Sequence, residues 1–134
     1  MTRPKILLLE RNAATRDAIR ESLESENCEV VSSGTFAESL NQIYEQQGFD
    51  AVITNLRTQR AEDHSQLVAA IRTLQPECLF VAVCDSLDAR DARRAICLRV
   101  DYIVKPSNVK QVAERLYART AEAGSLLRSE AKSS

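Results

Sequence analysis

The sequence predicts an α/β fold, a doubly wound five-stranded parallel sheet with helices on both faces and strand order 2-1-3-4-5. Three observations predict it. Short apolar runs alternate with helical patterns five times along the chain. The first run, Lys5-Ile-Leu-Leu-Leu9, is continuously apolar, as a strand covered on both faces must be. Later runs end in polar residues, at Asn55 and at Lys105-Pro106. The carboxyl ends of neighbouring parallel strands form the ligand crevice of such folds, so these polar ends mark a candidate site rim.

Each element can be justified in order. After the first strand, Asn12 can cap a helix running to about Glu26, with Ile19 and Leu23 on its buried face. Glu29-Val-Val-Ser32 is a short second strand. Thr35-Phe-Ala-Glu38 fits a capping box, and Phe36, Leu40, Ile43 and Tyr44 follow at helical spacing. Gly48 is expected to stop that helix. Ala51-Val-Ile-Thr54 is the third strand, closed by Asn55. A polar loop is expected from Arg57 to Ser65, and His64 within it has no partner motif and no assigned role. Leu67, Val68, Ile71 and Leu74 mark the third helix, ended by Pro76. Leu79-Phe-Val-Ala-Val-Cys84 is the fourth strand, and Ser86 can cap a helix containing Ala92, Ala95, Ile96 and Leu98. Tyr102-Ile-Val104 is the fifth strand. The last helix is predicted from about Ser107 to Glu122, with Val109, Val112, Ala113, Leu116 and Tyr117 inward. One domain over residues 1–123 is expected, with residues 124–134 as a polar tail or linker.

Composition excludes several function classes. Hydrophobic residues make up 44% and charged residues 28% of the 134, which suits a globular domain. The net charge of −1 gives no general attraction to nucleic acid or anionic lipid. No apolar run approaches the roughly 20 residues of a membrane span, and the opening Met1-Thr-Arg-Pro-Lys does not read as a secretory signal, so a cytoplasmic location is expected. Cys28, Cys78, Cys84 and Cys97 have no C-x-x-C spacing and read as reduced, buried thiols. With one histidine, a zinc site is not expected. No Gly-rich phosphate loop and no nucleophile–histidine pair is present, so the chain does not read as an enzyme.

Leu7-Leu-Leu-Glu10, the run from Asp50 to Leu56 and Tyr102-Ile-Val-Lys-Pro106 together make the chain resemble the receiver domain of bacterial two-component response regulators, a flavodoxin-like fold, from Lys5 to about Arg119. In that family two acids after the first strand help hold Mg²⁺, and those positions match Glu10 and Arg11. An acid ending the third strand accepts a phosphoryl group, and that position matches Asn55. A Thr or Ser at the end of the fourth strand hydrogen-bonds the phosphoryl group, and Cys84 stands there. The lysine before proline matches Lys105. The aromatic that changes rotamer on activation matches Tyr102.

The resemblance therefore implies a pseudo-receiver. An amide oxygen is a poor nucleophile and forms no acyl phosphate. Three acids and a lysine give the family's rim a charge of −2, whereas Glu10, Arg11, Asn55 and Lys105 carry +1. Two unit charges ~5 Å apart at an effective dielectric of ~20 interact by about 3 kcal/mol, so a three-unit change weighs heavily against a divalent ion. No cofactor is expected, Mg²⁺ is expected to bind poorly, and Arg11 is expected to pair with Glu10 in part of the metal's place. The expected function is a phosphorylation-independent protein–protein interaction module in a signalling pathway. Two alternatives stay open: a receiver of a transcriptional regulator still modified or ligand-switched at a non-standard site, and a small-ligand or redox sensor using the rim and Cys84. Arg90, Arg93 and Arg94 on the fourth helix, interleaved with Asp88 and Asp91, read either as a solvated face or, with Arg115 and Arg119, as a partner or homodimer surface across helix four, strand five and helix five. No helix-turn-helix follows, so direct nucleic-acid binding is not expected.

Overall fold

The computed structural model of the chain describes residues 3–57 and 60–133. Its elements are β1 (Lys5–Leu9), α1 (Ala13–Ser25), β2 (Glu29–Ser33), α2 (Phe36–Glu45), β3 (Ala51–Asn55), α3 (Ala61–Leu74), β4 (Leu79–Val83), α4 (Ala89–Leu98), β5 (Tyr102–Val104), a 3₁₀ turn (Pro106–Asn108) and α5 (Lys110–Ser133). All strand pairings are parallel, and the sheet order is β2-β1-β3-β4-β5 as predicted.

The pleat sorts the apolar strands into two layers. Ile6, Leu8, Ile53, Val81 and Val83 pack with Ile19 and Leu23 of α1 and with Val112, Ala113 and Leu116 of α5. The alternate residues Leu7, Leu9, Val52 and Phe80 pack with Ile43 of α2 and with Leu67 and Ile71 of α3. A smaller cluster, Leu56, Ala82, Cys84, Ala95 and Leu98, lies under α4.

Capping follows the sequence at two helices and departs from it at a third. Asn12 accepts the Thr15 N–H at 2.9 Å at the start of α1. Thr35 accepts the Glu38 N–H at 3.2 Å, while the Glu38 carboxylate reaches back one residue further than a capping box requires, to the Gly34 N–H. At α4 the cap is Asp88, which accepts the Asp91 N–H at 2.8 Å, and not Ser86. A carboxylate caps as well as a hydroxyl and adds charge complementarity to the helix N-terminus.

Several boundaries also shift. α2 ends at Glu45, and Gly48 turns the chain toward β3 with φ +83°. α3 starts at Ala61, inside the stretch expected to be loop, because its first turn is polar and carries no periodic signal. β4 ends at Val83, so Cys84 lies one residue beyond it. α5 continues past Gly124 to Ser133, as its Leu, Glu, Ala and Lys content permits, so the expected tail is helical in its backbone. Tyr44 and Ile96, assigned to apolar helix faces, are exposed, as is Cys97 among the cysteines.

Candidate functional site

The rim forms at the carboxyl ends of β1, β3, β4 and β5. Leu9 is in register with Thr54, Asn55 with Val83, and Val83 with Val104. The residues that follow these positions, Glu10, Cys84 and Lys105, therefore emerge around Asn55.

Glu10 is 1% exposed and held on every side. Its N–H donates to the Ser33 carbonyl at 3.1 Å, and its own carbonyl accepts from the Arg16 guanidinium at 3.0 Å. Its carboxylate accepts the Asn12 N–H on Oε1 and the Asn55 amide Nδ2 on Oε2, both at 3.1 Å. These are the described partners of the carboxylate that was expected to pair with Arg11. Arg11 lines a surface cleft with Gly34, Thr35, Phe36, Arg60 and Asp63.

Asn55 uses both ends of its side chain. Nδ2 donates to Glu10, and Oδ1 accepts the Arg57 N–H at 2.9 Å. The direction of the first bond distinguishes the amide chemically, because a carboxylate at this position would have no proton to offer Glu10.

The Arg57 side chain, read from the sequence as the start of a polar loop, crosses to the far side of the rim. Its Nε and Nη2 donate to Asp91 Oδ2 at 3.1 and 2.9 Å, and Nη2 also reaches the Ser86 carbonyl at 2.8 Å and the Ser86 hydroxyl at 3.1 Å. Asp88 lies 3.9 Å from the same nitrogen. Asp91, read from sequence as part of a solvated face, is 7% exposed. Its hydrogen bond with Arg57 holds its carboxyl below the usual range.

Cys84 is buried against this group. Its Sγ donates to the Ser86 carbonyl at 3.1 Å and to Asp91 Oδ2 at 3.5 Å. Burial, followed by the nearby Asp91 carboxylate, pushes the thiol up, the opposite of what a reactive thiolate needs. Lys105 is exposed at the end of β5. Tyr102 is half-buried, and the Arg115 guanidinium sits 4.0 Å from its ring centroid.

His64 changes status altogether. It is fully buried on α3, with Nε2 3.3 Å from the Thr54 hydroxyl and Nδ1 2.9 Å from Arg94 Nη2. A guanidinium can only donate, so Nδ1 accepts and the ring is neutral. Burial, reinforced by the Arg94 charge, lowers its pKa to about 4, with a bond to the Asn55 backbone opposing in part. Arg94 Nη1 also donates to the Leu56 carbonyl at 2.7 Å.

Of the five arginines read either as a solvated face or as a partner surface, four are exposed and Arg94 is turned inward. Arg90 and Arg93 are exposed on α4, whereas Arg94 is half-buried and turned toward β3 and α3. Arg115 stacks on Tyr102, and Arg119 donates to the Glu77 carbonyl at 2.9 Å and faces its carboxylate at 3.3 Å.

No protein-family model matches the chain, and no curated protein sequence does. Solved structures do match. A CheY-like receiver domain protein from Methanospirillum hungatei JF-1 is 21% identical, with 90% of this chain and 96% of that one covered and a TM-score of 0.70. A response regulator receiver protein from Pseudomonas putida is 25% identical, with 89% and 98% covered and a TM-score of 0.69. The Saccharomyces cerevisiae complex of the histidine phosphotransfer protein Ypd1 with the receiver domain of Ssk1 also matches, at 18% identity, 85% and 86% coverage and a TM-score of 0.67. With five parallel strands in the order 2-1-3-4-5 and a helix after each, this chain has the fold of the CheY-like response regulator receiver domains.

Proposed function

We propose that the chain is a signalling module of the receiver fold that acts through protein contacts without taking up a phosphoryl group. The observation that carries this reading is the Asn55 amide, which bonds Glu10 through Nδ2 and the Arg57 backbone through Oδ1. An amide lacks the anionic oxygen that attacks phosphorus, and here its oxygen is already accepting a hydrogen bond.

The rim residues also do not fit Mg²⁺. The ion demands several oxygen donors in octahedral array, usually with one or two carboxylates. Glu10 is the one rim carboxylate among the family-matched positions, and both its oxygens accept protein N–H groups. Arg11 and Lys105 add positive charge that repels a cation. Among the described residues, no group of three or more His, Cys, Asp and Glu is placed to hold a metal. No helix among them is long and apolar enough to cross a membrane.

The partner surface of this module is the α4–β5–α5 face. It exposes Arg90, Arg93, Ile96 and Ile103, a mixture of cationic and apolar groups suited to an acidic protein partner or a second copy. The recorded contact of Ypd1 with the Ssk1 receiver shows that the fold supports protein recognition.

The decisive experiment treats the protein with acetyl phosphate and Mg²⁺ and reads the product by intact mass and ³¹P NMR. No adduct is expected from the natural chain, and a gain of Mg²⁺ binding and phosphoryl uptake is expected from the double variant Asn55→Asp, Arg11→Asp. A stoichiometric adduct on the natural chain would overturn the reading.

A further inference from the structure

α4 is anchored differently from the other helices. It buries only Asp91, Ala95 and Leu98, and its apolar cluster has five buried members against fourteen and nine in the two main layers. Small side chains on a short interface leave little apolar area to fix its position. Arg72 of α3 bonds the carbonyl of its C-cap residue, Arg99. Two further guanidinium groups, those of Arg57 and Arg94, tie its body to the end of β3.

Both originate or end at the tripeptide Asn55-Leu56-Arg57 that closes β3. Arg57 has its backbone N–H fixed by Asn55 Oδ1. Its side chain then grips Asp91 in the first turn of α4 and Ser86 in the loop before it. Arg94, one turn further along α4, returns to the Leu56 carbonyl at 2.7 Å and to His64 at 2.9 Å. One cation thus runs from β3 to α4 and the other from α4 back to β3 and α3.

We infer that Arg57 and Arg94 form a two-point clamp that sets the position of α4 and the β4–α4 loop from within the chain. This inference rests on the reading that Asn55 takes no phosphoryl group, since the clamp then does by fixed contacts what a modification would otherwise have to do. An exposed ion pair would contribute little. This one ends on a nearly buried carboxylate, uses two nitrogens of one guanidinium, and adds two bonds to Ser86, which makes it charge-assisted and geometrically specific. The clamp also covers Cys84, which shares Asp91 and the Ser86 carbonyl with Arg57. The outward face of α4, with Arg90 and Arg93, is consequently presented in one orientation. Glu10 belongs to the same chain of contacts, because it holds the Asn55 amide that positions Arg57.

Cys84 provides the readout. In a Cys97→Ser background the exposed thiol is gone and Cys28, Cys78 and Cys84 are all buried. Labelling with a disulfide thiol reagent, resolved by peptide mass, should be slow at all three. Arg57→Ala should accelerate Cys84 by roughly tenfold or more, with Arg57→Lys between, while Cys28 and Cys78 keep their rates. Hydrogen exchange should rise over residues 84–98 and not over β1 or β3. A Cys84 rate within about twofold of the parent would overturn the clamp. Should Arg57→Ala accelerate all three thiols by loosening the whole domain, Asp91→Asn decides. It keeps the shape and removes the charge that Arg57 grips, but Asp91 also raises the Cys84 thiol directly, so this variant is read by hydrogen exchange. Faster exchange over residues 84–98 with β1 and β3 unchanged supports the clamp, and unchanged exchange there overturns it. The two readings fail separately. Phosphoryl uptake by the natural chain would remove the proposed function, and with it the clamp's part as a substitute for modification, while the Arg57–Asp91 contacts would still be read at Cys84. An unmoved Cys84 would remove the clamp and leave the proposed function.

Discussion

The α1–α5 side of the sheet and the α4 flank are built on different physical principles. On the first, fourteen buried residues, most of them from β1, β3, β4, β5, α1 and α5, form one cluster, and apolar area dominates the placing of α1 and α5. On the second, Ala95 and Leu98 supply the apolar contact and arginines supply the position. Apolar burial is strong but non-directional, so it resists single changes in proportion to the area removed. A guanidinium contact is directional and depends on one residue. On the proposed reading, the same domain therefore joins a body that is hard to disturb to a flank that a single substitution can release, which would suit a signalling surface.

The largest expected effect lies in the body. Phe80 is fully buried in the layer between the sheet and α2–α3. Phe80→Ala should cost about 3–5 kcal/mol in urea unfolding, through lost burial and the cavity left behind. Its denaturation should remain a single transition in which α4 and the sheet unfold together. A loss below about 1 kcal/mol would mean that apolar layering is not what holds this body, and the comparison would collapse.

The second effect tests the junction between body and flank. The His64 pKa falls from 6.5 unfolded to about 4 folded. Above pH 6.5 the ring is neutral in both states and its contribution to stability is fully present. As pH falls below 6.5 the unfolded chain takes up a proton that the native ring refuses, so stability declines until the folded ring itself titrates near 4. At 1.36 kcal/mol per unit, the loss across that window has an upper limit of about 3 kcal/mol. The groups facing the ring are Arg94, whose charge opposes protonation, and Asp63, whose charge favours it weakly. Urea midpoints between pH 7 and pH 4 should show the decline in the natural chain and a flatter profile in His64→Gln. Parallel profiles would place the acid sensitivity elsewhere.

These two regions were also unequally legible in the sequence. Residues such as Ile6, Leu8, Ile19 and Leu23 announce strand and helix by period, and the sheet order follows from chain connectivity, so the body could be read before any coordinates. Asn55, Glu10, Cys84 and Lys105 were legible as a rim because strand ends are fixed once strands are. The clamp was not. Arg57, Asp91 and His64 lie in polar stretches, where period carries no information and partners are set by how loops fold across one another. His64 carries no signal because the first turn of α3 is polar and reads as loop. Asp91 looked solvated because its neighbours Arg90 and Arg93 are. The one available hint was charge itself, since Arg57 stands two residues after a strand end that another charged group would otherwise occupy.

The smallest effect concerns the edge of the flank. Arg115 of α5 lies with its guanidinium 4.0 Å from the Tyr102 ring centroid, and Tyr102 sits on β5, the edge strand that follows α4 in the chain. The ring is half-buried and Arg115 exposed, so the cation–π contact is worth about 0.5–1 kcal/mol. Arg115→Ala should therefore lower the thermal midpoint by roughly 2–5 °C. It should also broaden or shift the Tyr102 ring signals in NMR, while the labelling rate of Cys84 stays at its parent value. That separation matters to the comparison. If releasing Tyr102 also exposed Cys84, β5 and α4 would move as one element and the clamp would extend to α5. If Cys84 is unmoved, the flank contains two independent polar fixings, one for the tyrosine and one for the helix.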